Sequence, residues 1–251
     1  MYLTRMRPEQ VREAVQNNLP LIMGSGVVEY HGPHLPIGTD AMIASHICAE
    51  VEKRIPCVVA PPLAFGPTMS WAAGPEDGEI DFDPAPFEAY AKELLKRLRM
   101  IGFKQIYIVQ HHQGMDGLQA LSLRHAAAEL TREEALSWGH SWGWQDPSSL
   151  PNPNIFSTIQ VAGIDTYLRY PADNPGPMPI GHAGKGETQL IQHIDPETVR
   201  IEALDTIEQS RLPEWLLDAK EADADEARFW LDLCVEGWIR HITEAGVGGE
   251  G

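Results

Sequence analysis

Cysteine is scarce in this chain. There are three, Cys48, Cys57 and Cys234, an odd number with no close pair. That excludes a disulfide framework and predicts three buried thiols in a reducing, cytoplasmic setting. Long apolar runs are missing as well. No stretch approaches the ~20 residues of a membrane-spanning helix, and Met1 to Glu9 lacks the charged-then-apolar layout of a signal peptide. Basic residues are few: 19 Lys and Arg stand against 36 Asp and Glu, a net charge of -17. Such a surface repels nucleic-acid phosphates. Nor does any Gly-rich phosphate loop join a strand to a helix. With internal repeats and low-complexity tracts also absent, the 251 residues read as one domain, 1–251, of ordinary globular composition.

Strands and helices alternate along it. Leu21-Ile22-Met23 reads as a first buried strand. From Asp40 onward, Ile43, Ile47 and Val51 at spacing four predict a helix capped by Thr39 or Asp40. Residues 57–60 read as a second strand, closed by Pro61-Pro62. Residues 63–85, punctuated by Gly66, Pro67, Gly74, Pro75, Gly78 and Pro84, read as a long loop. Phe87, Tyr90, Ala91, Leu94, Leu95 and Leu98 form a helical stripe that ends at Gly102. Residues 105–109 are the clearest strand and run straight into Gln110-His111-His112-Gln113-Gly114. A helix is expected from about Asp116 to Ser137.

Residues 138–181, rich in Trp, Pro, Asn and Gly, read as a lid or binding loop with a possible strand near 154–161. A short helix is expected from Thr188 to Ile194. A last one spans Glu226 to Glu244 with Phe229, Leu233 and Ile239 inward, and the acidic run 221–226 suits its N-terminus. This alternation predicts an α/β fold with a mostly parallel central sheet covered by helices on both faces. Ligands of such sheets sit beyond the carboxyl ends of the strands, where both His-bearing segments fall.

The chemistry concentrates in Glu29-Tyr30-His31-Gly32-Pro33-His34-Leu35-Pro36-Ile37-Gly38-Thr39-Asp40. If the first strand continues, Glu29 and His31 share one of its faces, and the stiff turn can return Asp40 to them. Carboxylate oxygen and imidazole nitrogen are what hard and borderline divalent metals bind. Glu29, His31, Asp40, His112 and Glu187 make about the number of ligands two metals need, with Asp40, at a helix start, as the bridge. Adjacent residues on an extended chain face opposite ways, so one of His111 and His112 is expected to be structural. His182 lies between small neighbours, which suggests tight packing near the site. Trp71, Trp138, Trp142 and Trp144 are candidate pocket walls, and Arg169 and Lys185 weaker candidate substrate contacts.

The segment Gly24-Ser25-x-x-x-Glu29-x-His31-Gly32-Pro33-His34-Leu35-Pro36-x-Gly38-Thr39-Asp40 resembles the signature of the creatininase family. The likeness extends to the loop after Val109, which resembles the family's Asn-Gly-His-Gly-Gly-Asn, and to His182-Ala183-Gly184-x-x-Glu187-Thr188. It covers roughly residues 20–195. The resemblance implies a three-layer α/β/α sandwich, homo-oligomers of hexameric type, and two divalent ions (Zn, Mn or Fe). It also implies Glu29 and His112 on one metal, His31 on the other and Asp40 between them. Glu187 would be a ligand of the second metal or a carboxylate supporting it, and His182 the relay that passes a proton to the leaving group.

The match departs from the family at Gln110, His111, Gln113 and Met115. His111 therefore remains an alternative to His112 in the alignment. Creatinine-hydrolysing members carry Tyr-Glu after the loop histidine, with that Glu on the second metal, and a Trp four residues before the relay histidine. Here those positions hold Gln113, Gly114 and Met178, which speaks against creatinine and for Glu187 as a ligand. Gln113, Trp142 and Trp144 are expected to face substrate. The expected activity is hydrolysis, with a metal-bound hydroxide attacking a carbonyl of a small cyclic polar molecule such as a cyclic amide. The alternatives are ring-opening carbon–carbon hydrolysis of an inositol-derived cyclic diketone, as in inosose hydrolases, and a non-catalytic scaffold of the same fold.

Overall fold

The computed structural model describes residues 1–152, 154–173 and 176–247, so residues 248–251 of the expected domain lie outside the described residues. Four strands, β1 (Leu21–Ser25), β2 (Val58–Val59), β3 (Ile106–Gln110) and β4 (Ile159–Gly163), form one sheet in the order β2-β1-β3-β4. Every pairing is parallel. The helices are α1 (Pro8–Gln16), α2 (Thr39–Arg54), α3 (Pro84–Ile101), α4 (Leu118–Ser137), α5 (Lys185–Ile194) and α6 (Ala224–Val247). No helix among the described residues is long and apolar enough to cross a membrane.

Strand periodicity divides the core into two. Ile22, Val59, Tyr107, Val109 and Ala162 face α2, α5 and α6. Their strand neighbours Leu21, Met23, Val58, Ile106, Ile108 and Ile159 face α1, α3 and α4. Both faces are dry, which is why these strands read as unbroken apolar runs. The layering is therefore helix, sheet, helix. Cys48, Cys57 and Cys234 are free and buried, as expected.

Several details differ from the sequence reading. The short α1, tucked under α3, was not anticipated. β4 starts later than residue 154, after a 3-10 turn at Ile155–Ser157. Gly38 is the N-cap of α2, and Thr39 and Asp40 are its first helical residues. α6 buries Ala227, Trp230, Leu231, Cys234, Val235, Trp238 and Ile242, while Phe229 is 36% exposed and Leu233 and Ile239 only flank the core. The expected trio does not keep one face of a 3.6-residue helix; Trp230, Cys234 and Trp238, four apart, do.

One close approach sets up the site. Gly26, just past β1, lies under the first turn of α2. A Cβ there would come within 2.4 Å of the Ala41 nitrogen and 2.5 Å of the Asp40 carbonyl carbon. Both are backbone atoms, so neither can swing away. Gly26→Ala is expected to cost about 1–3 kcal/mol through overpacking. Urea unfolding reads this directly, and an unchanged midpoint would contradict the described seating of α2.

Candidate metal centre

β1 ends at Ser25, so Glu29 and His31 do not share a strand face as expected. They are brought together by a loop that folds back on itself. The Glu29 amide donates to the Ile37 carbonyl at 3.0 Å, and Gly32 takes a left-handed backbone (φ 73). A Cβ at Gly32 would sit 2.8 Å from the His34 ring. His31 Nδ1 donates to the Glu29 carbonyl at 3.1 Å. That bond fixes the tautomer and leaves the Nε2 lone pair facing Asp40 Oδ1 at 3.2 Å, Glu187 Oε2 at 3.4 Å and Glu29 Oε1 at 3.8 Å.

The loop after β3 brings both of its histidines inward. The chain leaves extended geometry after Gln110, so the alternation that would have turned one of them away no longer holds. The His111 amide still pairs with the Ser25 carbonyl at 2.9 Å. The chain then bends through Gln113 (φ 53) and Gly114 (φ 67). Gln110 Nε2 closes the bend on the His112 carbonyl. His112 Nε2 donates to the Pro67 carbonyl at 3.0 Å, so Nδ1 faces Asp40 Oδ2 at 3.0 Å and Glu29 Oε1 at 3.2 Å. His111 Nε2 lies 2.9 Å from Glu187 Oε1 and 3.9 Å from Asp40 Oδ1. The structure thus gives His111 a place against Glu187 that the sequence reading left open.

Glu187 sits in the first turn of α5, which begins at Lys185 rather than at Thr188. Its Oε2 accepts the Ala183 amide at 2.6 Å, and Ala183 itself is left-handed (φ 52). His182 donates from Nε2 to the Tyr30 carbonyl at 2.7 Å and turns Nδ1 to Glu29 Oε1 at 3.3 Å. Its ring lies against His31 at 4.3 Å and meets the edges of Trp71 and Trp215 at 4.8 and 5.1 Å.

These donors fall into two sets, Glu29–Asp40–His112 and His31–Asp40–Glu187, with a third combination, Glu29–His31–His182, beside them. Asp40 belongs to both main sets and offers one oxygen to each. A tetrahedral ion with bonds of about 2.0–2.1 Å has donor–donor edges of roughly 3.3 Å. The four histidine–carboxylate edges here run from 3.0 to 3.4 Å. His31 Nε2 and Asp40 Oδ2 are fully buried and have no hydrogen-bond partner of acceptable geometry. Buried polar atoms left this way are costly, and a cation satisfies both at once. The donors fit a pair of divalent ions.

Electrostatics point the same way. Burial by itself lowers the pKa of His31, but Asp40, Glu187 and Glu29 outweigh it and hold the ring at about 10. His112 is likewise held at about 10, with Asp40 and Glu29 overcoming burial. Burial raises the carboxyl of Asp40, yet His31 and His112 carry it far below the usual carboxylate range. Glu29 and Glu187 also end below their ordinary values despite burial, through His112 and His182 for the first and His31 and His111 for the second. Protons stand where cations would serve the same carboxylates.

Glu29, Asp40, His112, His182 and Glu187 line the floor of a cavity of about 760 Å³, with His31 buried outside that lining. Its walls include Met69, Trp71, Gln113, Met115, Ile164 and Ile180. Gln113 therefore reaches the cavity, with its amide held on the Thr68 carbonyl at 3.0 Å. Trp142 and Trp144 do not line it. Trp142 packs on Trp138 and Phe156, and Trp144 is 92% exposed. None of residues 138–150, which follow α4, lines the cavity. Lys185 pairs with Glu226 at 2.8 Å, and neither it nor Arg169 is part of the lining. Trp215 escaped the sequence reading because its segment, around the 3-10 turn Glu214–Leu216, has no periodicity. Asp165 escaped because it is a lone acid after a short strand.

A family model described as Creatininase: Creatinine amidohydrolase matches residues 4–246. The 3-dehydro-scyllo-inosose hydrolase of Thermotoga maritima is 24% identical over 87% of this chain and 64% of its own length. The creatinine amidohydrolase of Pseudomonas putida is 22% identical over 89% of this chain and 88% of its own. The mycofactocin precursor peptide peptidase of Mycolicibacterium smegmatis is 26% identical over 71% and 59%. The chain thus spans less than two thirds of the inosose hydrolase and of the peptidase. A solved structure described as creatininase with Mn superposes with a TM-score of 0.76 at 20% identity, covering 97% of this chain and 98% of that one. A mutant creatininase of Zn-Zn type gives 0.75 at 19%, covering 97% of each chain. These structural likenesses establish the fold.

His34 supports the cluster from behind. Its Nε2 donates to the Thr188 hydroxyl at 2.8 Å, which donates in turn to the Ala183 carbonyl at 3.2 Å. Burial pushes its pKa down to about 4, opposed by a backbone hydrogen bond at Ala183 and reinforced by the charge of His31. The unfolded chain takes up this proton more readily, near pH 6.5. The stability His34 contributes is therefore present above pH 6.5 and lost as pH falls toward 4. From pH 7 to pH 5 the loss is expected to be about 2 kcal/mol. Urea unfolding in chelator at the two pH values, compared with His34→Gln, measures it; equal slopes for the two proteins would refute it.

Proposed function

The chain belongs to the creatininase family, and from that premise we propose that it is a binuclear metal hydrolase acting on an amide carbonyl. The observation that carries this is Asp40, one buried carboxylate with an oxygen in each of two donor sets. In this reading Glu29, Asp40 and His112 hold one divalent ion, and His31, Asp40 and Glu187 the other. Two such ions would polarise the carbonyl and bring a shared water's pKa toward neutrality. The Mn and Zn-Zn descriptions of solved family structures support that choice of metals.

The chain's own groups do the rest. Pro67, Glu29 and Tyr30 carbonyls fix which nitrogen of His112, His31 and His182 faces the centre. His182 Nδ1 is the atom that takes up a proton and hands it to the leaving nitrogen. Its ring is held for that task between His31, Trp71 and Trp215. His111 pins one oxygen of Glu187 and the Ala183 amide pins the other, so this carboxylate cannot rotate away from His31.

Ring opening of an inositol-derived cyclic diketone is the second reading, and the Thermotoga relative named a 3-dehydro-scyllo-inosose hydrolase supports it. The walls favour the amide. Met69, Trp71, Met115, Ile164, Met178 and Ile180 offer a polyol few partners for its hydroxyls, which lose hydration on entry. A non-catalytic scaffold has no use for orphaned ligand atoms beneath a cavity.

In Asp40→Ala, metal analysis of protein purified with zinc or manganese supplied is expected to find both ions lost, and turnover of a lactam and formamide panel to vanish. Two ions per chain and normal turnover in that variant would remove the bridge. His182→Ala should keep both ions while kcat falls about 10²–10⁴-fold. Loss of metal instead would make His182 a ligand, as the Glu29–His31–His182 combination allows.

A further inference from the structure

The cavity's charge is one-sided. Its lining includes four acidic side chains, Glu29, Asp40, Asp165 and Glu187, and no Lys or Arg among the described residues. Three of the four are committed to the histidine cluster. Asp165 is not. It follows β4, two residues beyond Gly163, whose position pairs in register with Gln110 at the root of the histidine loop. One of its carboxylate oxygens lies over Gly163, 3.0 Å from where a Cβ would stand. The Ile164 amide bonds the Gln110 carbonyl at 3.1 Å, which ties this turn to the floor of the site. The Asp165 side chain is exposed and takes part in no hydrogen bond or ion pair among the described residues.

Apart from the histidine floor and Asp165 the wall is mostly apolar, with Met69, Trp71, Met115, Ile164, Met178 and Ile180, and Gln113 is among its polar members. A molecule reaching from one to the other therefore needs three parts: a carbonyl for the centre, an apolar body for the wall, and a group for a free carboxylate. Resting on the binuclear reading above, we propose that Asp165 selects the substrate, and that the cavity takes amides with an apolar body and a cationic head of ammonium or guanidinium type. A carboxylate or phosphate at that end meets Asp165 with no basic side chain in the lining to offset the repulsion. A head that carries positive charge forms a charge-assisted hydrogen bond instead.

Hydroxamates test this without turnover, because their head group chelates metal. Three of equal reach separate the terms: 6-aminohexanehydroxamate, adipic monohydroxamate and hexanohydroxamate. Calorimetry on the zinc- or manganese-supplied protein is expected to rank the amine first, at least about tenfold tighter than the carboxylate. In Asp165→Asn the amine's advantage over hexanohydroxamate should disappear, while hexanohydroxamate itself binds as before, which also certifies the fold. Equal affinity of the two charged compounds, or an amine preference that survives in Asp165→Asn, overturns the inference and leaves the metal centre standing. Binding of none of the three overturns both.

Discussion

Everything in this site depends on an unbalanced cluster of buried charge. Glu29, Asp40 and Glu187 are buried together with His31 and His112. Carboxylates gathered this closely repel one another, and burial adds a desolvation cost. Protons on the imidazoles relieve part of the repulsion. They do not give His31 Nε2 or Asp40 Oδ2 a proper hydrogen bond. The arrangement makes sense once doubly charged ions sit between the donors, because each ion replaces several repulsions with attractions at ligand distance. The fold tolerates the cluster because other bonds fix the histidines and Glu187. The histidine rings are tied to the carbonyls of Glu29, Pro67 and Tyr30, and Glu187 to His111 and the Ala183 amide.

The sheet explains why four separate segments meet. All four strands run parallel, so their carboxyl ends lie on one edge. The loops after β1 and β3 leave from neighbouring strands there, and the turn after β4 leaves from the next one. α5 lies across the same end with Glu187 in its first turn. The loop between β2 and α3 comes over the top and delivers the Pro67 carbonyl and Trp71. It is braced internally, with the Thr68 hydroxyl donating to Glu79 at 2.6 Å and the Thr68 amide to Asp81 at 2.7 Å. A parallel sheet thus turns proximity between strands into convergence between loops.

Much of this was legible in the sequence. Apolar runs such as 105–109 announce buried parallel strands, and the Glu29–Asp40 segment announces ligands by residue type alone. The details that went astray share a cause, which is local geometry extrapolated past its range. Strand alternation was extended to Glu29 and His31 although β1 stops at Ser25, and to His111 and His112 although β3 stops at Gln110. Tryptophans 71, 138, 142 and 144 were all offered as pocket walls by residue type, and of these Trp71 alone lines the cavity, with Trp215 packed beside it. Long-range packing chose between them, and a single sequence does not encode it in any pattern of spacing.

Strain records the same division between scaffold and site. Six non-glycine residues among those described adopt left-handed backbone: Asn18, Met69, Ser70, Gln113, Ser141 and Ala183. Three of them, Met69, Gln113 and Ala183, line the cavity or touch its donors, and Ser70 adjoins Met69. Such conformations cost of order 1–3 kcal/mol each, and they persist where surrounding bonds over-determine them. At Ala183 the reason is visible. The left-handed turn points its amide at Glu187 Oε2 while its carbonyl accepts from Thr188, which in turn holds His34. At Gln113 the left-handed turn closes the histidine loop while its side-chain amide donates to the Thr68 carbonyl. A sequence selected for stability alone would relax these turns with glycine or straighten them. Their survival at the donors, where relaxation would misaim a ligand, is the mark of a constraint imposed by chemistry.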